Sequence, residues 1–77
     1  MSWTVYTLEY DKIDIVGRLR HHKEWYVLKS LAMQEFHHHK LLKHGEVILS
    51  EHETEDLESF INNGNYGIKI IKGGNNG

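Results

Sequence analysis

The apolar period of this chain switches from strand-like to helical near Leu28, and that switch constrains its fold more than any other feature. "SWTVYTLEY" (2–10) is rich in β-branched and aromatic residues, with apolar groups on both alternating faces, and reads as a strand. "KIDIVGRL" (12–19) alternates cleanly, with Ile13, Ile15, Gly17 and Leu19 on one face and Asp14 and Arg18 on the other. It reads as a second strand, joined to the first by a turn at Asp11–Lys12. From Leu28 the period becomes helical: Leu28, Leu31, Ala32, Glu35, Phe36, His39 and Leu42 recur on one face. A chain with both periods must lay a helix on a sheet.

The join between the two regimes has two readings. In one, a single helix starts near Glu24. In the favoured one, "RHHKE" (20–24) is a turn, Trp25 to Lys29 is a third strand, and the helix runs from Leu31 to His44. Ser30 is then its N-cap and Gly45 its C′ residue. "EVILS" (46–50) reads as a short strand. "ETEDLESFINNG" reads as a helix with Thr54 as N-cap, Leu57, Phe60 and Ile61 as its buried stripe, and Asn63-Gly64 as its stop. "YGIKIIK" (66–72) is the expected last strand. The expectation is an α+β fold: a small, mainly antiparallel sheet of four to five strands with one or two packed helices. It comprises a single domain over 1–72 and a flexible C-terminal tail over 73–77.

At 77 residues, with 19 Leu, Ile and Val, there is enough apolar material for one shallow core. A domain this short buries only about 60% of its unfolded surface. There is no cysteine, which removes disulfides and thiolate metal sites and fits a reducing compartment. The start of the chain has neither the basic residues nor the apolar run of a signal peptide, and nothing approaches the roughly 20 apolar residues of a membrane span. A cytoplasmic protein is expected, with no membrane partner.

Charge divides unevenly along the chain. Residues 1–45 carry +2 and residues 46–77 carry −4, for a net charge of −2 with histidine neutral. The basic share gathers in "GRLRHHKEW", where Arg18, Arg20, His21, His22 and Lys23 adjoin Trp25. Basic groups beside aromatics suit phosphates and stacked bases, but a net-negative chain argues against nucleic acid as the main partner. The acidic share gathers in "SEHETEDLE", with Glu51, Glu53, Glu55, Asp56 and Glu58. Several of these compensate the dipole at a helix start; together they also make a face suited to a basic partner.

Four of the seven histidines fall in "EFHHHKLLKHGE" (35–46). A zinc site needs donors about 2.0–2.1 Å from the ion, which on a helix favours histidines one turn apart. The positions four after His37, His38 and His39 are Leu41, Leu42 and Lys43, so no such pair exists. A histidine-based metal site would need this segment extended, and none is assigned. Helical spacing does put Glu35 and His39 one turn apart within the apolar stripe. Such a polar pair must satisfy itself, reach water, or meet a partner.

The sequence contains no P-loop, G-x-S-x-G, H-E-x-x-H or dinucleotide fingerprint. No enzyme activity and no cofactor are expected. The expected function is a small non-catalytic module that docks on a partner protein. Chains of this size and composition are often regulators or inhibitors, including those of phages and mobile elements. The contacts fall to Arg18, Arg20, His21, His22, Lys23 and Trp25, then to Glu51, Glu53, Glu55, Asp56 and Glu58. The alternatives are a nucleic-acid-binding domain using 18–25 and a histidine-based metal-binding protein. A homodimer is compatible with all three.

Overall fold

The computed structural model describes residues 2–64 and 66. Strand β1 (Trp3–Ile13) leads into β2 (Leu19–Tyr26), helix α1 (Lys29–Leu41), strand β3 (Ile48–Thr54) and helix α2 (Leu57–Asn63). The sheet is antiparallel with order β2-β1-β3, so the first strand lies at its centre. The α+β class holds, but the sheet has three strands among the described residues rather than four to five. The strand expected over 66–72 lies outside the described residues beyond Tyr66, as does the tail over 73–77.

The strand count falls because the first turn is not at Asp11–Lys12. It is built by Asp14 and Gly17. The Asp14 carbonyl accepts from Gly17 N–H at 3.0 Å, and its Oδ1 accepts from the N–H groups of Val16 and Arg18 at 3.0 and 2.9 Å. Gly17 takes φ +85°, a conformation open to glycine at little cost. This is a three-residue hairpin loop closed by a left-handed glycine. The hydrogen bonds to the Asp14 carboxylate, first from Arg18 N–H and then from the Arg20 side chain, hold its pKa below the usual range. Because β1 continues through Lys12 and Ile13, "RHHKE" is not a turn but the body of β2.

Three helix ends also differ from expectation. α1 is preceded by Leu28, which offers no side-chain cap, so Ser30 lies inside the helix. Its C-terminus closes at Lys43 rather than Gly45: Lys43 N–H bonds to the Lys40 carbonyl at 3.1 Å and His44 N–H to the His39 carbonyl at 3.2 Å. That pattern is a Schellman turn with Lys43 left-handed at φ 57°. Gly45, at φ 70°, serves a different need, since a Cβ there would stand 3.1 Å from Asp11 Cβ. β3 runs on through Thr54, so the N-cap of α2 is Asp56, whose carboxylate accepts from Ser59 N–H at 3.1 Å.

Alternation along β1 gives the sheet two faces. Tyr6, Leu8 and Tyr10 point to the α1 side. There Leu8, Tyr10, Tyr26 and Ala32 form the buried core, flanked by Tyr6, Leu31, Phe36, Val47 and Leu49. Fully burying side chains such as Leu8 contributes about 1.5–3 kcal/mol each. Ala32 lets the helix approach the sheet closely. On the other side Thr7 Oγ1 meets His52 Nε2 at 3.0 Å, and the His52 ring lies 5.3 Å from Phe60 of α2. Lys23 donates to the Gly64 carbonyl at 2.7 Å and sits 5.0 Å from the Tyr66 ring centroid. Burial, then the charge of Glu9, raises the pKa of the Tyr66 phenol.

Candidate functional site

The α1 face of the sheet contains a buried polar centre. In the β1–β2 register, Leu8 lies opposite Glu24 and Tyr10 opposite His22. Glu24 is therefore flanked on the same face by Tyr26, two residues on, and by Tyr10, one diagonal away. Both phenols donate to it: Tyr10 Oη to Glu24 Oε2 and Tyr26 Oη to Glu24 Oε1, each at 2.6 Å. Glu24 is 6% exposed, and such a carboxylate is tolerable only with strong donors. Burial, and then these hydrogen bonds to Glu24, push the pKa of both phenols well up, so they remain protonated donors.

Helix α1 brings Glu35 and His39 onto this centre. His39 is 6% exposed, and its Nε2 lies 3.5 Å from Glu35 Oε1. Its ring stacks on Tyr10 at 3.7 Å between centroids. The Schellman turn folds His44 back so that the two Nδ1 atoms meet at 2.9 Å. One of these nitrogens must donate and the other accept. Burial lowers the pKa of His39, opposed by the charge of Glu24 and reinforced by His44. The face shared by Glu35 and His39 is thus covered by the protein's own sheet.

One ligand atom each from Glu24, Glu35 and His39 lies within 4.8 Å of the other two. Glu24, Tyr10, Tyr26 and His44 are absent from the sequence-derived set. Glu24 carried a signal: read as a strand, "RHHKEWY" puts His22, Glu24 and Tyr26 on one face. Assigning 20–24 to a turn concealed it.

The basic stretch is divided by the same alternation. Arg20 and His22 face the α1 side, whereas His21, Lys23 and Trp25 face the other. Their polar groups are largely engaged. Arg20 Nε pairs with Asp14 at 2.9 Å. His21 bridges Asp11 at 2.9 Å and Glu9 at 3.0 Å, and the bonds to Asp11, then Glu9, raise its pKa. His22 stacks on Tyr10, with centroids 5.2 Å apart. Arg18 lies at the hairpin turn and makes no ion pair among the described residues. The acidic residues Glu51 and Glu53 are exposed on edge strand β3, Glu55 and Asp56 on the loop into α2, and Glu58 in its first turn.

An apolar feature was not anticipated. β3 pairs with β1 only as far as Glu9, while β2 stays paired to Ile13. The last part of the hairpin thus projects as a two-stranded arm. At its end Ile13, Ile15, Val16 and Leu19 are all largely exposed. Among the described residues no helix is long and apolar enough to cross a membrane.

No protein-family model matches the chain, and no curated protein or solved structure matches it at a significant level.

Proposed function

We propose that this protein is a small, non-catalytic module that docks on a partner protein, acting as a regulator or inhibitor, with the β1–β2 arm as its leading contact. The observation that carries this reading is the exposed cluster of Ile13, Ile15, Val16 and Leu19 at the end of the arm. An apolar group of this kind, rimmed by charge, is typical of recognition surfaces. Lys12 and Arg18 flank it without ion pairs among the described residues, so the complementary surface is an apolar cleft edged by carboxylates. The nucleic-acid alternative draws less support, because the basic stretch is split between two faces and Arg20, His21 and Lys23 are engaged within the chain.

The test is site-specific photo-crosslinking in extract of the native host, with the reactive group at position 16 and, as a control, at position 58. The reading expects one protein captured at 16 and not at 58. It also expects that capture to be lost in Ile15→Asp/Val16→Asp while the fold is kept. Identical capture from both positions, or capture indifferent to the double substitution, overturns it. Nuclease sensitivity of the complex would favour the nucleic-acid alternative.

A further inference from the structure

We propose that Glu24, Glu35 and His39 form a binding site for one divalent first-row transition ion, such as Zn2+ or Mn2+, between α1 and the sheet. The inference is independent of the docking surface on the arm and uses none of its residues.

Geometry comes first. One donor atom from each of the three side chains lies within 4.8 Å of the others, and His39 Nε2 is 3.5 Å from Glu35 Oε1. Two donors bound at about 2.1 Å can be at most ~4.2 Å apart, and tetrahedral neighbours are ~3.4 Å apart. The pair on α1 already has the closer spacing, and the widest remaining separation exceeds the tetrahedral one by up to ~1.4 Å. Glu35 is half-buried at the rim, so its side chain can turn inward to close that gap.

The surrounding groups provide a second, independent observation. A metal-bound imidazole characteristically donates its other N–H to a neighbour, which fixes the tautomer and the ring orientation. His39 Nδ1 faces His44 Nδ1 at 2.9 Å, leaving Nε2 for an ion. Its ring is further held by stacking on Tyr10. Glu24 is oriented by two phenol hydroxyls, each at 2.6 Å, one on each carboxylate oxygen. Two carboxylates and an imidazole are a hard-to-borderline donor set, suited to Mn2+, Fe2+, Co2+ or Zn2+ rather than to a soft ion. Three protein ligands leave coordination positions for water.

The other histidines of the segment have no such setting. His37 and His38 are exposed on α1 and belong to no such donor group among the described residues, so they provide a natural control.

The experiment uses the full chain purified without an affinity tag, stripped with EDTA and exchanged into chelator-free buffer. It is titrated calorimetrically with Zn2+ and with Mn2+. The proposal expects one equivalent of at least one of these ions and a melting temperature that rises on loading. Glu35→Gln, at a half-buried helical position, should weaken binding at least tenfold with the circular dichroism spectrum unchanged. His44→Phe should weaken it about 10- to 100-fold, and His37→Asn/His38→Asn should leave it unaltered. Nitrogen NMR of the imidazoles should show the largest shift at His39 Nε2. The proposal is overturned if neither ion binds stoichiometrically. It is equally overturned if binding survives Glu35→Gln or disappears in the His37/His38 double variant.

Discussion

Each face of the sheet is lined by a set of one histidine and two carboxylates, and the two sets behave in opposite ways. On the α2 side, His21 stands between Glu9 and Asp11 with its side chain 52% exposed, one carboxylate on each ring nitrogen. On the α1 side, His39 is 6% exposed; its Nε2 faces Glu35, and its Nδ1 is taken by another histidine. The first arrangement is a clamp for a charged ring: the proton itself is the cation, and the pKa rises. The second buries the ring beside two carboxylates, and burial lowers the pKa. An imidazole and two carboxylates therefore give a surface ion pair or a candidate cation pocket, according to how deeply they are buried.

The largest effect that could break this contrast is removal of the acid from each set. Glu24→Leu would leave two buried phenol hydroxyls without their acceptor, at a cost of about 3 kcal/mol or more. Glu9→Leu, on the exposed set, should change stability by no more than about 0.5 kcal/mol. Urea denaturation of both variants measures the difference, and equal losses would show that the buried centre has no special weight.

The next test is acid. For His39 the folded-state pKa lies below the unfolded value of about 6.5. Its contribution to stability is thus present above the unfolded value and is lost as pH falls through that value toward the folded one. Thermal melts in chelator should show a shallower acid limb for His39→Gln than for the parent chain. For His21 the sign reverses. Its raised folded-state pKa gives a contribution that is full below about 6.5 and lost as pH rises through the folded value. The stability gap between the parent chain and His21→Gln should therefore close on going from pH ~5 to ~8, and it should be small throughout, since the pair is solvent-screened. Parallel pH profiles for the two variants would dissolve the contrast.

The smallest expected effect concerns the arm. Ile15→Asp/Val16→Asp should leave the melting temperature nearly unchanged, within about 0.5 kcal/mol of stability, because these side chains touch little of their own chain. A clear loss would mean that the arm supports the fold.

The particular places where the sequence was legible share one property: they depend on spacing within a single element. The β-branched and aromatic run of residues 2–10 and the helical period from Leu31 to Phe36 both correspond to observed elements. The i,i+4 separation of Glu35 and His39 is a local fact that any helix through them enforces. The failures share a property too. Ile13, Ile15, Gly17 and Leu19 alternate like a strand, yet Asp14 and Gly17 convert the middle of that run into a turn. A carboxylate that caps its own loop overrides an apolar pattern with nothing to bury against. Moving that turn displaced the whole of β2, placed Glu24 in the core and distributed Arg20 and Lys23 to opposite faces.

By itself, then, the sequence determined the α+β class, the covering helix and the shared face of Glu35 and His39. Periodicity is written in neighbouring residues. Only the tertiary structure decided that Glu24, fifteen residues from His39, would meet it beneath that helix. It also decided that His44 would fold back onto His39. Those meetings depend on strand register, and register was set by one Asp–Gly loop and one left-handed lysine, whose effects appear only when the elements pack.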